Sequence, residues 1–408
     1  MPPTEPSTYF RKGFGLKTEI QDTLAADYTG QLVDLLRVRD YALSAGGVTV
    51  RLAREFGFCY GVERAVEYAY QTRAKFPERR IFLVGEIIHN PHVNAKLREM
   101  GIEFLVPGAA GFDYSDVRPE HVVILPAFGI TIQDFEILRT VGCIMVDTTC
   151  GSVLNVWKRV ESYSRDGFTA LIHGKHYHEE TRATSSQVAR HEGGHYLVVR
   201  NMPQAREVCD YIERRGLSRA LFLSKYGPQA SPGFDPDVHL ARIGVANQTT
   251  MLARESLAIA EEVGQAMTRA RGEAYRAENF RTFDTICSAT QDRQDAVTEL
   301  LREPLHAMLV IGGYNSSNTV SLALLCAEKV ATYHVTDATC IDVDQGTIRH
   351  VPPGASTEIE TADWLGRPGE GGPVRVGLTA GASTPNNKIG EAVARVFATR
   401  GVDPSLLL

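Results

Sequence analysis

One pattern recurs along this chain and limits what it can fold into. A short apolar strand ends in glycine or another small residue, polar residues follow, and a helical pattern begins. It occurs at Ile81–Asn90, Val122–Thr131, Thr169–His178, Ala307–Asn318 and Val374–Ser383. Strand–loop–helix alternation predicts an α/β fold with parallel sheets. Ligands of such sheets bind beyond the carboxyl ends of the strands, where these loops collect. The repetition is structural rather than a strict repeat of letters, and it predicts several similar small α/β units around one centre.

Before the pattern starts, residues 1–46 read as an extension. Arg11-Lys-Gly-Phe-Gly15 is turn-like, and 17–41 has helical spacing. The alternating, β-branched Val48–Leu52 predicts the first strand of the folded body, and 62–75 a helix. Residues 225–240 and 343–373 are rich in Gly and Pro without clear period, which predicts surface insertions. The segment 386–408 predicts a terminal helix. The expected division is an extension at 1–46, a strand and first candidate cysteine at 47–60 joining the third domain, α/β domains at 61–150, 151–283 and 284–385, and a tail at 386–408.

Three cysteines stand at element boundaries. Cys150 ends Val146-Asp-Thr-Thr-Cys-Gly-Ser152, Cys59 lies in Phe56-Gly-Phe-Cys-Tyr-Gly-Val62, and Cys287 in Phe283-Asp-Thr-Ile-Cys-Ser-Ala-Thr290. Backbone N–H groups at a helix start suit a thiolate or phosphate. Singly, each cysteine is equally well explained as a small buried hydrophobe. Cys143, Cys209, Cys326 and Cys340 lack glycine-rich surroundings, and core filling is the expectation for them. Zinc favours closely paired ligands, and the sequence has no C-x-x-C. Three remote cysteines fit an iron–sulfur cluster at a domain junction, with one iron left for substrate.

A second set consists of donors in the predicted loops: His89, His178, Thr249, Thr250, Ser316, Ser317, Asn318 and Ser383. They offer many N–H and O–H groups with little fixed charge, which suits a diphosphate. Each one alone is more often a helix cap. The run His173-Gly-Lys-His-Tyr-His-Glu-Glu-Thr181 starts directly after an apolar strand, as an active-site loop does. Within it, Glu180 can relay protons and His178 can bind an anion.

Composition narrows the class. The net charge of −6 argues against a nucleic-acid binder, and no apolar run reaches membrane-span length. The N-terminal stretch has no apolar signal core, which gives a cytoplasmic expectation. Seven cysteines in 408 residues are too few for a disulfide scaffold.

Taken together, Gly57-Phe-Cys-Tyr-Gly-Val-Glu-Arg-Ala65, Glu86-Ile-Ile-His-Asn90, Asp147-Thr-Thr-Cys150, His178-Glu-Glu-Thr181, Asn247-Gln-Thr-Thr250, Ile286-Cys-Ser-Ala-Thr290, Asn315-Ser-Ser-Asn318 and Thr379-Ala-Gly-Ala-Ser383 resemble, in order, the motifs of the LytB-type 4-hydroxy-3-methylbut-2-enyl diphosphate reductases. The extension and the Pro126-Ala-Phe-Gly129 loop resemble the longer branch found in cyanobacteria and plants. The resemblance implies three small α/β domains arranged pseudo-symmetrically around a central 4Fe-4S cluster. It implies the last step of the non-mevalonate isoprenoid pathway, in which two electrons and two protons remove an allylic hydroxyl to give isopentenyl and dimethylallyl diphosphates. Ferredoxin or flavodoxin is the implied electron donor. Cys59, Cys150 and Cys287 match the cluster ligands and Glu180 the proton-relay acid. His89, His178, Thr249, Ser316, Asn318 and Ser383 match substrate contacts, with Thr250, Thr290 and Ser317 in support. Two residues depart from the family. Phe128 stands where many members have histidine, leaving the diphosphate to the other donors or to Lys175 or His176. Gly151 stands where many have proline, which is expected to loosen the turn. A non-catalytic iron–sulfur sensor and a metal-free phosphate binder are the alternative classes. The sensor would need the cysteines but neither Glu180 nor the Ser-Ser-Asn loop.

Overall fold

A computed structural model describes residues 8–108, 111–283, 285–366 and 373–407. Residues 1–7 of the expected extension, residue 284 beside the Cys287 motif and 367–372 of the second expected insertion lie outside the described residues. The chain packs as two compact units. Among the described residues, one comprises 8–12, 78–87 and 101–287, and the other 13–77, 88–100 and 288–407.

The first unit holds two parallel sheets. In one, the strands run Tyr9–Phe10, Ile144–Asp147, Val122–Leu125, Ile81–Val84, Ile102–Leu105. In the other they run Tyr196–Val199, Thr169–His173, Ile243–Asn247, Phe280–Thr282. Ile81–Val84, Val122–Leu125, Thr169–His173 and Ile243–Asn247 are buried at every residue. That is why they read as unbroken apolar runs, since helices cover both faces of a parallel sheet. The second unit is built on a sheet ordered Thr332–Val335, Ala307–Ile311, Val374–Ala380, Val48–Leu52, Ala42–Ala45, parallel except for its last pair. The fold is α/β with mostly parallel sheets, as the alternation predicts.

The structure departs from the sequence reading at four places. Tyr9–Phe10, within the expected extension and not read as a strand, forms an edge strand. The helical pattern over 17–41 is two helices, Lys17–Tyr28 and Gln31–Val38. They part at Gly30, where a Cβ would lie 2.7 Å from Asn386 O. Residues 225–240 are no loose insertion: Tyr226, Ala230, Phe234 and Leu240 are buried in the core of the 169–282 sheet. Residues 341–362 carry a three-stranded antiparallel sheet, Ile341–Asp342, Thr347–His350 and Ile359–Ala362, whose Ile348 enters the second unit's core. Among the described residues, no helix is long and apolar enough to cross a membrane.

Candidate functional site

In the first unit, the polar loops join at the ends of their strands. The strand Ile144–Asp147 runs into Thr148 and Thr149, and Cys150 is the N-cap of the helix Gly151–Arg165. Its backbone is extended (φ −62°, ψ 142°) and its side chain makes no capping bond. Gly151 begins this helix as proline would, so the turn is formed despite the departure. The N–H of Cys150 donates to Ala127 O at 3.0 Å, tying the cysteine to the Pro126–Gly129 loop. The next residue, Phe128, sets its ring edge-on against His178, 5.7 Å between centroids and 80° between planes. Phe128 thus packs against the candidate anion donor His178.

His178 is itself an N-cap: its Nδ1 accepts the N–H of Glu180 at 3.1 Å. A neutral imidazole accepting at Nδ1 carries its proton on Nε2, which makes Nε2 a donor suited to an anionic oxygen. Glu180 is 2% exposed, and its Oε1 accepts the N–H of Thr249 at 2.6 Å. The carbonyl of Thr249 accepts the N–H of Cys287 at 3.4 Å. One residue therefore bridges the candidate acid and a candidate ligand. Thr285 fixes the same segment: its hydroxyl donates to Asn247 Oδ1 at 2.6 Å and accepts the Asn247 N–H at 3.0 Å.

Sequence reasoning passed over Gln248. It is buried, its Oε1 accepts from Lys175 N and Thr181 Oγ1, and its Nε2 donates to Thr250 Oγ1. Its place inside Asn247-Gln-Thr-Thr250 at a strand end was the available signal. Of the two offered substitutes for the missing imidazole, His176 is exposed and packs against Tyr177. Burial and then nearby Arg200 push the Lys175 ammonium below its ordinary pKa.

The second unit gathers its own set. Cys59 is the N-cap of the helix Tyr60–Lys75, again extended and without a side-chain cap. Its N–H donates to Ala382 O at 3.2 Å, and the N–H of Ala382 donates to Asn318 Oδ1 at 2.9 Å. Asn318 Nδ2 lies 3.5 Å from Thr290 Oγ1. Buried Arg293, also unnoticed in the sequence, donates to Gly57 O at 2.6 Å. Gly57 has φ +67°, and a Cβ there would meet Thr384 O and Ile389 Cδ1 at 3.0 Å, so glycine is required just before Cys59.

Ser383 Oγ donates to His89 O at 3.2 Å and lies 3.5 Å from Ser316 Oγ. Asn315 Nδ2 lies 3.3 Å from His89 Nδ1, and with the amide nitrogen donating, the matching His89 tautomer is the one protonated on Nε2. Ser316 caps the helix Ser317–Ala327, accepting from Thr319 N. Ser317 is 3% exposed and its Oγ has no hydrogen-bond partner among the described residues. A buried hydroxyl in that condition suits a ligand oxygen.

The seven cysteines form no disulfide and fall into two groups. Burial pushes the thiols of Cys143 and Cys209 up to about 11 and about 12, and raises Cys326 further. With buried Cys340, these are core fillers, as expected. Cys59, Cys150 and Cys287 are half-buried, and each directly precedes a helix. Their donor chemistry fits thiolate ligation of iron, because helix N-termini stabilise thiolates.

Comparison with known proteins adds the following. The family model described as LytB protein matches residues 50–397. The 4-hydroxy-3-methylbut-2-enyl diphosphate reductase of Gloeobacter violaceus is 47% identical over 97% of this chain and 94% of its own. The enzyme of the same name from Thermosynechococcus vestitus is 46% identical over 97% and 95%. A solved structure of (E)-4-hydroxy-3-methyl-but-2-enyl diphosphate reductase, the terminal enzyme of the non-mevalonate pathway, is 25% identical. It covers 85% of this chain and 98% of its own with a TM-score of 0.51. The reductase structure from Plasmodium falciparum, 21% identical, shares the fold with a TM-score of 0.61 over 84% and 86%.

Proposed function

The chain belongs to the LytB family, and from that membership we infer that it is an iron–sulfur 4-hydroxy-3-methylbut-2-enyl diphosphate reductase. It acts on a small diphosphate at the last step of the non-mevalonate pathway, in the cytoplasm, with ferredoxin or flavodoxin supplying electrons. Cys59, Cys150 and Cys287 are the residues to hold a 4Fe-4S cluster. When bound, the cluster supplies the reducing electrons and a Lewis-acidic iron.

The chain's own residues do the rest. His89 and His178, each with its proton on Nε2, donate to the diphosphate. The hydroxyls of Thr249, Thr250, Thr290, Ser316, Ser317 and Ser383 and the amide of Asn318 complete a donor set that holds the anion without fixed positive charge. Phe128 keeps the His178 ring in its donating orientation. Glu180 is the proton donor to the leaving oxygen. Its Oε1 accepts the Thr249 N–H, which holds the carboxyl in place. The observation that carries this reading is the shared residue Thr249, whose N–H holds Glu180 and whose carbonyl holds the N–H of Cys287.

The test is anaerobic turnover of the diphosphate with a chemically reduced donor. Glu180→Gln keeps the acceptor for Thr249 but has no proton to give. Turnover is expected to fall by roughly 10²–10⁴, the worth of general acid catalysis, with the cluster's visible spectrum and substrate affinity retained. Turnover near that of the parent enzyme would remove Glu180 from the role.

A further inference from the structure

The N-terminal extension reaches the Cys150 turn. Tyr9–Phe10 pairs in parallel with Ile144–Asp147, Tyr9 opposite Met145 and Phe10 opposite Val146, and the N–H of Met145 donates to Thr8 O at 2.7 Å. In this register the Tyr9 hydroxyl donates to Asp147 Oδ2 at 2.5 Å, and Arg11 Nε lies 3.7 Å from the same oxygen. The other oxygen, Oδ1, accepts the N–H of Thr149 at 2.9 Å and its hydroxyl at 2.5 Å. A carboxylate that accepts the N–H two residues on closes an Asx turn, and this turn delivers the chain to Cys150.

Asp147 is 7% exposed, where a carboxylate is stable only with donors or counter-charge around it. The extension provides both. Tyr9 is anchored by its strand and by an edge contact with Phe135 at 5.5 Å. Burial, then the Asp147 charge, raises its phenol far above the ordinary value, so it stays a donor. A cavity of about 180 Å³ borders Tyr9, Arg11, Asp147, Thr149 and Trp157, so water is at hand if Tyr9 lets go.

We propose that Tyr9 and Arg11 are positioning residues: by holding one oxygen of Asp147 they preset the turn that the other oxygen closes, and so aim the Cys150 thiolate. The consequence for the thiolate rests on the reading of Cys150 as a cluster ligand; the consequence for the turn does not. The experiment uses the full chain with Tyr9→Phe, Asp147→Asn and the double substitution. Hydrogen exchange at the Thr149 amide is read in cluster-free protein, and the rate at which air bleaches the cluster's visible absorption is read in loaded protein.

Tyr9→Phe is expected to speed Thr149 exchange roughly tenfold, the equivalent of one hydrogen bond to a charged acceptor, and to speed bleaching several-fold. The double substitution is expected to do no more than Asp147→Asn alone, because Tyr9 acts through that carboxylate. Exchange within about twofold of the parent, or additive effects of the two substitutions, would overturn the proposal. Faster exchange with unchanged bleaching would overturn the link to the thiolate. A Cys150→Ser protein that keeps the full chromophore would instead refute the ligand assignment, while the exchange data still decide the clamp.

Discussion

Gly129 is where the packing makes its sharpest demand on the Pro126–Gly129 loop. Its φ is +76°, and its N–H closes the turn onto Pro126 O at 2.9 Å. A Cβ built there would lie 2.5 Å from Trp157 Cη2, closer still to Cζ2, and 3.3 Å from Thr149 Cγ2. Gly129→Ala therefore incurs two penalties. The left-handed backbone costs an L residue about 1–2 kcal/mol, and overpacking against a rigid indole costs about 1–3 kcal/mol. The expected destabilisation is about 2–5 kcal/mol. The comparison is Gly151→Pro. A Cβ at 151 meets nothing within 4 Å, the residue is the first of its helix, and Cys150 before it is already extended. That change should stabilise by about 0.4–1 kcal/mol through the unfolded chain. Urea unfolding of the cluster-free proteins, followed by circular dichroism, measures both. A loss below ~1 kcal/mol for Gly129→Ala, or the same sign for both substitutions, would refute the reasoning.

Further outcomes follow from the same geometry. Phe128→Ala removes the edge contact that orients His178, worth about 0.5–1.5 kcal/mol. The KM for the diphosphate should rise about 2–10-fold with kcat less affected, and an unchanged KM would show that the ring does nothing for substrate. His334, 3% exposed, has its pKa lowered from 6.5 to about 4, chiefly by burial. Between those values the unfolded chain binds the proton and the folded one does not, so stability is fully present above pH 6.5 and is lost as pH falls toward 4. The slope from this group approaches ~1.4 kcal/mol per pH unit, and His92, His173 and His350, also lowered by burial, act in the same direction. A pH series of urea midpoints checks this, and His334→Asn should make it shallower.

What could be seen in the sequence, and what could not, follows from the range of the interactions. Fully buried strands such as Ile81–Val84 and Ala307–Ile311 are visible because burial on both faces leaves an unbroken apolar run. The cysteines at element boundaries are visible because strand and helix signals adjoin them. The loops' internal contacts are not, since they join residues far apart in the chain. Arg293 holds Gly57 O across 236 positions, and Tyr9 holds Asp147 across 138. No local period records such pairs. Glycine and proline in 225–240 punctuate the backbone as a surface loop would, yet Tyr226 and Phe234 anchor the segment in the core. The 341–362 sheet was missed because strands of two to four residues are too short to display alternation. The helical pattern over 17–41 is continuous in its apolar positions, yet the helix ends at Thr29-Gly30, where the backbone is extended and a Cβ on Gly30 would lie 2.7 Å from Asn386 O.

Mössbauer spectroscopy of anaerobically iron-loaded protein, recorded before and after addition of the diphosphate substrate, tests the central claim most directly. The account predicts a cluster signal in which one iron changes on substrate addition while the others do not, and the loss of that signal in each of Cys59→Ser, Cys150→Ser and Cys287→Ser. A spectrum indifferent to substrate, or an intact cluster in any of the three serine variants, would contradict it.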